Sequence, residues 1–161
     1  MSVNSYLPHV LVLPEDDANR EMANGFLLDT RVNDRKVQVL PVAGGWQKVI
    51  ASFVQDHVNY LQKYPERRIV LLLDFDDDVA NRSAHIKSQI PPGLSSRVFV
   101  LGVASEPERL KASCNKKLEP IGEALAGECA ENAQDLWNHP LMLHNAAELA
   151  RLKADVKPFL F

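Results

Sequence analysis

With 161 residues, 46% of them hydrophobic and 24% charged, the chain is long enough to fold as one domain, residues 1–161, around a buried core. A net charge of −3 excludes a global basic field for nucleic acid, so any such contact would need a local patch. No apolar stretch approaches the roughly 18 residues of a membrane span, and no basic, apolar leader precedes the first strand, so we expect a cytoplasmic protein without membrane contact.

Strand and helix patterns alternate through the first half of the chain. An apolar run at residues 9–13 predicts a strand, and residues 16–28 follow with apolar side chains at helical spacing. A second strand is predicted at residues 36–40. The clearest helical pattern covers residues 46–61 and leads to a third strand at residues 67–74.

The second half begins with a shorter predicted helix at residues 79–89 and a fourth strand at residues 97–103. Residues 105–161 show only helical spacing and are expected to form a helical C-terminal extension of the same domain. Within it, residues 157–161 are either an edge segment or a tail packed on the body. The order of elements predicts a three-layer α/β fold, Rossmann-like, with a four-stranded, mainly parallel sheet between flanking helices.

The third predicted strand ends in an acidic run that contains Asp74, Asp76, Asp77 and Asp78. Ligands of open α/β sheets lie beyond the carboxyl ends of the strands. Clustered carboxylates repel one another unless a cation neutralises them, and Mg²⁺ binds one or two carboxylates together with water and substrate phosphate. The pattern therefore predicts an Mg²⁺ site, with Mn²⁺ as an alternative ion. The competing interpretation is an acidic helix N-terminus that caps the helix and interacts with its dipole.

The first strand also ends in an acidic residue, Glu15. The carboxyl ends of parallel strands lie at one edge of the sheet, so Glu15 is expected at the same edge as Asp74 and Asp76. If the first and third strands are neighbours, Glu15 and Asp74 could share a metal ion. The candidate metal ligands are therefore Glu15, Asp74, Asp76 and Asp78.

A Glu after the first strand and Asp-x-Asp after a later buried strand resemble the signature of Toprim domains, over roughly residues 8–111. The resemblance is to small nuclease-type members, related to the nuclease half of overcoming-lysogenization-defect ATPases. It implies that Glu15 acts as general acid/base or metal ligand, and that Asp74 and Asp76 bind Mg²⁺ in a catalytic site for phosphodiester cleavage. Glu106 matches a further acid of that branch, although a helix N-terminus explains it equally well.

Two glycines that usually follow these Toprim acids are replaced, by Asp16 and by the Asp77-Asp78 pair. Their loss favours one alternative, a non-catalytic interaction module that works beside a partner protein. Another alternative is a haloacid-dehalogenase-like phosphatase, in which Asp74 would be the nucleophile. In that family a Thr or Val normally stands where this chain has Asp78.

Several further side chains could contribute to a site. A local phosphate-binding rim could be formed by Arg82, Lys87, Arg109, Lys111, Lys116 and Lys117, although scattered basic residues more often form a solvated face. The spacing of Cys114, His139 and His144 matches no standard zinc site. No role beyond packing and capping is assigned to His139 and His144.

Overall fold

The computed structural model describes residues 2–161 and contains one four-stranded sheet in the order β2-β1-β3-β4. The strands are β1 His9–Pro14, β2 Val37–Val39, β3 Arg67–Leu72 and β4 Val98–Leu101. All three strand pairs are parallel, so the predicted mainly parallel α/β fold is confirmed. The central strands β1 and β3 pair up to Pro14 and Leu72, and their carboxyl ends are therefore level.

Within residues 2–161, eight α-helices connect and flank the strands. They are α1 Asp17–Phe26, α2 Trp46–Ser52, α3 Val58–Lys63, α4 Val79–Ser88, α5 Pro107–Cys114, α6 Leu118–Glu131, α7 Ala146–Asp155 and α8 Lys157–Leu160. Short 3-10 helices at Pro92–Arg97 and Leu143–Asn145 precede β4 and α7. No helix within residues 2–161 is long and apolar enough to cross a membrane.

The observed elements differ from the predicted ones mainly at their ends. The third and fourth strands end earlier than predicted, at Leu72 and Leu101. The predicted helix 46–61 is broken into α2 and α3 by a π-helical turn at Phe53–His57, a distortion that apolar periodicity cannot reveal. At the C-terminus, residues 157–160 form the short helix α8 and not an edge strand, so the packed-tail alternative is the one that the structure shows.

Alternate side chains of each strand enter two different cores, which is why the strands are apolar throughout. On one face Leu11, Leu71 and Val100 pack against residues of α2, α3 and α4. On the other face Val10 and Val70 pack with residues of α6, α7 and α8. The sheet is thus the middle layer of three, as predicted.

Helix α1 is held at an unusually short distance from α6. A Cβ atom on Gly122 would overlap the Met22 carbonyl oxygen, and one on Gly25 would overlap the Glu119 carbonyl oxygen. Only glycine permits such close approach of two backbones. The C-terminal helices therefore determine where α1 lies, and the residues at the start of α1 belong to the site described below.

The free edge of β4 is covered by side chains of α7 and of the residue that precedes it. The Asn145 side chain exchanges two hydrogen bonds with the Gly102 backbone, at 3.2 and 2.9 Å. The Val100 N–H donates to Glu148 Oε2 at 3.0 Å, and Arg151 pairs with the same carboxylate. These bonds satisfy edge groups that could otherwise pair with another chain.

Candidate metal centre

Two acidic side chains meet where β1 and β3 end. Glu15 follows β1 directly, and its backbone N–H still donates to the Leu72 carbonyl oxygen at 2.8 Å. The Asp74 N–H donates to Glu15 Oε2 at 2.7 Å, which joins the two strand ends through a side chain. Because β1 and β3 are neighbours, the structure brings together Glu15 and Asp74, the two residues on which the sequence-based metal site chiefly depends.

The Glu15 backbone is also held from the other side. The N–H groups of Gly44 and Gly45, which lead into α2, both donate to the Glu15 carbonyl oxygen, at 2.8 and 3.2 Å. Gly44 has a φ of 97°, a conformation that side-chain-bearing residues rarely adopt. The loop after β2 therefore fixes the Glu15 main chain, and the carboxylate is positioned between two strands and a loop.

A third carboxylate, Asp16, completes the group. One ligand atom from each of Glu15, Asp16 and Asp74 can be chosen so that all three lie within 4.8 Å of one another. No other group of three His, Cys, Asp or Glu residues this compact occurs among residues 2–161. Sequence reasoning did not single out Asp16 as a ligand, although its position directly after Glu15 was a usable signal.

Asp16 also begins α1. It is the N-cap residue, and its Oδ1 accepts hydrogen bonds from the Asn19 backbone N–H at 3.0 Å and from Asn19 Nδ2 at 2.9 Å. Its φ of −146° is ordinary extended backbone, so no glycine is needed where Toprim domains usually have one. The departure at this position therefore has no conformational consequence.

Asn19 links the acidic residues through side-chain hydrogen bonds, and the sequence reasoning did not identify it. Its side chain is fully buried, and Nδ2 also donates to Asp74 Oδ1 at 2.8 Å. Asn19 Oδ1 has no hydrogen-bond partner among residues 2–161. A buried amide oxygen without a partner is unfavourable in an apoprotein, and oxygen is the ligand atom that hard cations prefer.

Burial makes the ionised state of this group costly. Burial of the Asp74 carboxyl raises its pKa to about 7; the charges of Glu15 and Asp16 add to the rise, and the hydrogen bond from Asn19 opposes it. Burial likewise raises the pKa of Glu15, against the hydrogen bond from the Asp74 N–H. Glu15 and Asp74 are only 9% and 8% exposed, so solvent screens their repulsion weakly.

The other predicted ligands, Asp76 and Asp78, are not among the three residues of this compact group. Asp76 is exposed and pairs with Arg82, whose Nη1 lies 2.8 Å from Asp76 Oδ2 and 2.8 Å from the Asp74 carbonyl oxygen. The Arg82 guanidinium also lies over the Trp46 ring, 4.4 Å from its centre. Asp78 is exposed at the start of α4, and its side chain makes no capping hydrogen bond, so the capping alternative is not realised there.

Backbone conformation explains why the acidic loop turns outward. Asp76 and Asp77 have φ angles of 47° and 61°, in the left-handed region that glycine adopts most easily. The Asp76 and Asp77 N–H groups donate to the carbonyl oxygens of Ser105 and Ala104, which holds this conformation against the β4–α5 connection. In this conformation Asp77 Oδ2 lies 3.3 Å from Arg109 Nη1.

The predicted basic rim is divided in the structure. Arg82 and Arg109 pair with the acidic loop, whereas Lys87 pairs with Glu148 beside β4. The remaining three residues of the rim line one surface depression with Glu108 and Asn115; they are Lys111, Lys116 and Lys117. The charge of Glu108 also contributes to the raised pKa of Asp74.

The remaining candidates have structural explanations. Glu106 is exposed at the start of α5, as the helix N-terminus interpretation expects. His139 Nδ1 accepts the Leu141 N–H, so the proton of the neutral ring is on Nε2 and is donated to Ser113 Oγ at 2.9 Å. His139 therefore cannot act as a base toward Ser113. His144 packs edge-on against Phe75, with a centroid separation of 5.2 Å.

Comparison with protein-family models, with curated proteins and with solved structures finds no match to this chain. Function must therefore be argued from the site itself.

Proposed function

We propose that Glu15, Asp16 and Asp74 bind one divalent cation, Mg²⁺ or Mn²⁺, and that the protein cleaves phosphodiester bonds in nucleic acid. One observation carries the proposal. Three carboxylates from the ends of two adjacent parallel strands converge within 4.8 Å at the sheet edge where α/β proteins bind ligands.

The chemistry of the donor set favours a hard cation. Its ligand atoms are carboxylate oxygens of Glu15, Asp16 and Asp74. The set contains neither His nor Cys, the ligands that zinc and copper prefer. A bound Mg²⁺ or Mn²⁺ would polarise a phosphoryl oxygen and stabilise the charge that develops during displacement.

The surrounding residues have positioning roles in this proposal. The Asp74 N–H holds Glu15 Oε2, and Asn19 Nδ2 holds both Asp16 and Asp74, so the carboxylates are oriented before any ion binds. Arg82 holds the Asp74 carbonyl oxygen and neutralises Asp76. Preorganised ligands of this kind lose little free energy to reorganisation when the ion binds.

The depression formed by Lys111, Lys116 and Lys117 is a local positive surface for phosphates on a chain whose net charge is −3. A positive surface of this kind supports nucleic acid as the substrate class over a small phosphomonoester. The Toprim resemblance remains part of the proposal and is supported by the placement of Glu15 and Asp74 on neighbouring strands.

Cation binding is tested by calorimetric titration of the protein with Mg²⁺ and with Mn²⁺. We expect one site per chain, lost in Glu15→Gln and in Asp74→Asn. The matched control is Asp17→Asn, which removes an exposed carboxylate one residue away from Asp16. Unchanged binding in the Glu15 and Asp74 variants would refute the site.

Cleavage is tested on plasmid and single-stranded DNA and on RNA, with Mn²⁺ or Mg²⁺, for the same set of variants. We expect cleavage by the unmodified protein and by Asp17→Asn, and none by Glu15→Gln or Asp74→Asn. Replacing the three lysines with Gln is expected to weaken substrate binding and to reduce its salt dependence. Cation binding without cleavage of any substrate would refute the enzymatic part and favour the non-catalytic interaction module.

A further inference from the structure

Three tyrosines form a surface at the amino ends of β1 and β3, at the opposite edge of the sheet from the acidic group. Tyr6 precedes β1, Tyr60 lies in α3, and Tyr64 directly follows α3. Tyr6 and Tyr60 are 80% and 49% exposed, and Tyr64 is half-buried between them and the body of the protein. Exposed aromatic side chains that cluster in this way mark interaction sites. We call these three residues, together with Lys63 and Arg67, the tyrosine surface.

The rings of this surface are held in a defined arrangement. The Tyr60 and Tyr64 rings are nearly parallel, at 11°, with centroids 6.3 Å apart, and the Tyr6 ring meets Tyr64 edge-on at 5.8 Å. The Arg67 guanidinium lies 5.7 and 5.0 Å from the Tyr60 and Tyr64 centroids. Lys63 Nζ lies 5.3 Å from the Tyr64 centroid. Three rings and two cations therefore share one small surface.

The cations of the tyrosine surface have neutral neighbours. Arg67, half-buried at the start of β3, donates to His9 Nε2 at 3.0 Å and to Ser5 Oγ at 3.1 Å. Because His9 Nε2 accepts this bond, the His9 ring is uncharged. Neither Arg67 nor Lys63 forms an ion pair with a carboxylate of residues 2–161. Both charges therefore remain available to an anionic partner.

The acids nearest in the chain leave this surface positive. The Glu66 carboxylate is paired with Arg68, at 3.4 Å. Asp56 is exposed one helical turn before Tyr60 and carries one negative charge. Two cations without a carboxylate partner therefore stand against one free carboxylate, on a protein whose net charge is −3.

Exposed rings beside unpaired cations are the features by which proteins bind single strands, because bases stack on the rings and phosphates pair with the cations. We propose that the tyrosine surface binds single-stranded nucleic acid, with bases on the tyrosine rings and phosphates against Lys63 and Arg67. A duplex has its bases stacked on one another and cannot use the rings. The inference rests on the proposed function, since it takes nucleic acid as the substrate, and it narrows that substrate to single strands.

Binding is tested by fluorescence anisotropy with labelled oligo-dT and oligo-U of about 12 nucleotides. A chelator is present, so that neither cation binding nor cleavage affects the result. We expect the better of the two single strands to bind at least about tenfold more tightly than a duplex of the same length, with an affinity that falls as salt is added. Equal binding of the duplex, or no binding of either single strand, would overturn the proposal.

Substitutions at exposed positions separate the ring from the charge. Tyr60→Ala should weaken binding at least about fivefold with little change in its salt dependence, whereas Tyr60→Phe keeps the ring and should bind normally. Lys63→Gln should weaken binding and reduce the salt slope by about 0.7. The control is Leu28→Ala, at an apolar side chain of similar exposure, 50%, after α1. An affinity for Tyr60→Ala equal to that of Leu28→Ala would contradict the stacking role.

The same titrations distinguish this inference from the proposed function. If only replacement of the three lysines at 111, 116 and 117 weakens binding, the tyrosine surface is refuted and the proposed function stands. If Tyr60→Ala weakens binding and the unmodified protein cleaves no nucleic acid with Mn²⁺, the tyrosine surface is supported and only the enzymatic part of the proposed function fails.

Photocrosslinking gives a readout that does not depend on substitutions. An oligonucleotide that contains iodouracil should crosslink to Tyr6, Tyr60 or Tyr64, as located by mass spectrometry, and crosslinks confined to other residues would overturn the assignment. Sedimentation tests the competing use of the surface, contact between two copies of the chain. Self-association that is lost in Tyr60→Ala, without oligonucleotide binding by the unmodified protein, would refute the proposal.

Discussion

Replacing Asp74 with Asn gives a sharp test of the electrostatics of the acidic group. Asparagine has nearly the shape of a protonated aspartic acid, and its Oδ1 can still accept the hydrogen bond from Asn19 Nδ2. Because burial and the neighbouring Glu15 and Asp16 raise the pKa of Asp74 to about 7, the folded protein resists ionisation of this carboxyl. The unfolded chain does not resist ionisation of this carboxyl in the same way. The variant should therefore gain stability relative to the unmodified protein as the pH rises.

The magnitude follows from the difference between the two pKa values. Below pH 3.8 the carboxyl is protonated in both states, and above about 7 it is ionised in both. Between these limits the folded state binds more protons, so the free energy of unfolding falls by about 1.4 kcal/mol per pH unit. The full loss is about 4 kcal/mol, of which about 2–3 kcal/mol falls between about pH 5 and about pH 8.

The assay is urea unfolding of both proteins at about pH 5 and about pH 8, in the presence of a chelator. We expect the free energy of unfolding of Asp74→Asn, relative to the unmodified protein, to increase by about 2–3 kcal/mol over that interval. Added Mg²⁺ or Mn²⁺ should stabilise the unmodified protein at the higher pH and leave Asp74→Asn unaffected, since the cation binds the ionised form. Asp17→Asn, at an exposed position, should show no such trend.

The reasoning would be wrong if the stability difference between Asp74→Asn and the unmodified protein were the same at both pH values. In that case the Asp74 carboxyl would ionise as easily in the folded protein as in the unfolded chain. The acidic group would then carry no electrostatic penalty that a bound cation would relieve.

Two further predictions concern the framework of the site. Gly122→Ala places a Cβ against the Met22 carbonyl oxygen; separating α1 from α6 should cost about 1–3 kcal/mol or more and weaken cation binding, measured by urea unfolding and calorimetry. Glu148→Ala leaves the buried Val100 N–H without its acceptor and should cost about 2–3 kcal/mol, measured by urea unfolding, with little effect on cation binding.

Matched controls separate these effects from the general cost of substitution. Gly93→Ala introduces a methyl group into open space and should be nearly neutral. Glu123→Ala removes an exposed carboxylate from α6 and should also change stability little. A Gly122→Ala protein as stable as Gly93→Ala would contradict the close contact of α1 and α6. A Glu148→Ala protein as stable as Glu123→Ala would show that the β4 edge does not depend on that carboxylate.

Much of the fold could be predicted because the strands and helices follow from patterns of residues that are close together in the sequence. Short apolar runs identified all four strands, and apolar spacing identified the helical character of residues 105–161. The ends of elements were less accurate: the third strand was predicted to run to residue 74 and the fourth to residue 103, whereas β3 ends at Leu72 and β4 at Leu101. The π-helical turn at Phe53–His57 left no trace in the apolar periodicity, because it changes backbone hydrogen bonding and not the polarity of the side chains.

The candidate site was only partly accessible from the sequence. Glu15 and Asp74 were identified as acids that follow buried strands, and the structure places them together. Asp16 and Asn19 were missed, since an acid and an amide at the start of a helix are ordinary capping residues. Asp76 was also predicted as a ligand; in the structure it pairs with Arg82 and is not one of the three residues of the compact group, although its charge still contributes to the raised pKa of Glu15.

The amino-acid sequence by itself determined the α/β class, the succession of elements and the presence of acids at strand ends, because each depends on residues close together in the chain. Only the tertiary structure decided that β1 and β3 are neighbours and that Asp16 joins Glu15 and Asp74. Distances between side chains on separate loops follow from strand order, register and helix packing. These are properties of the whole folded chain, and local spacing does not encode them.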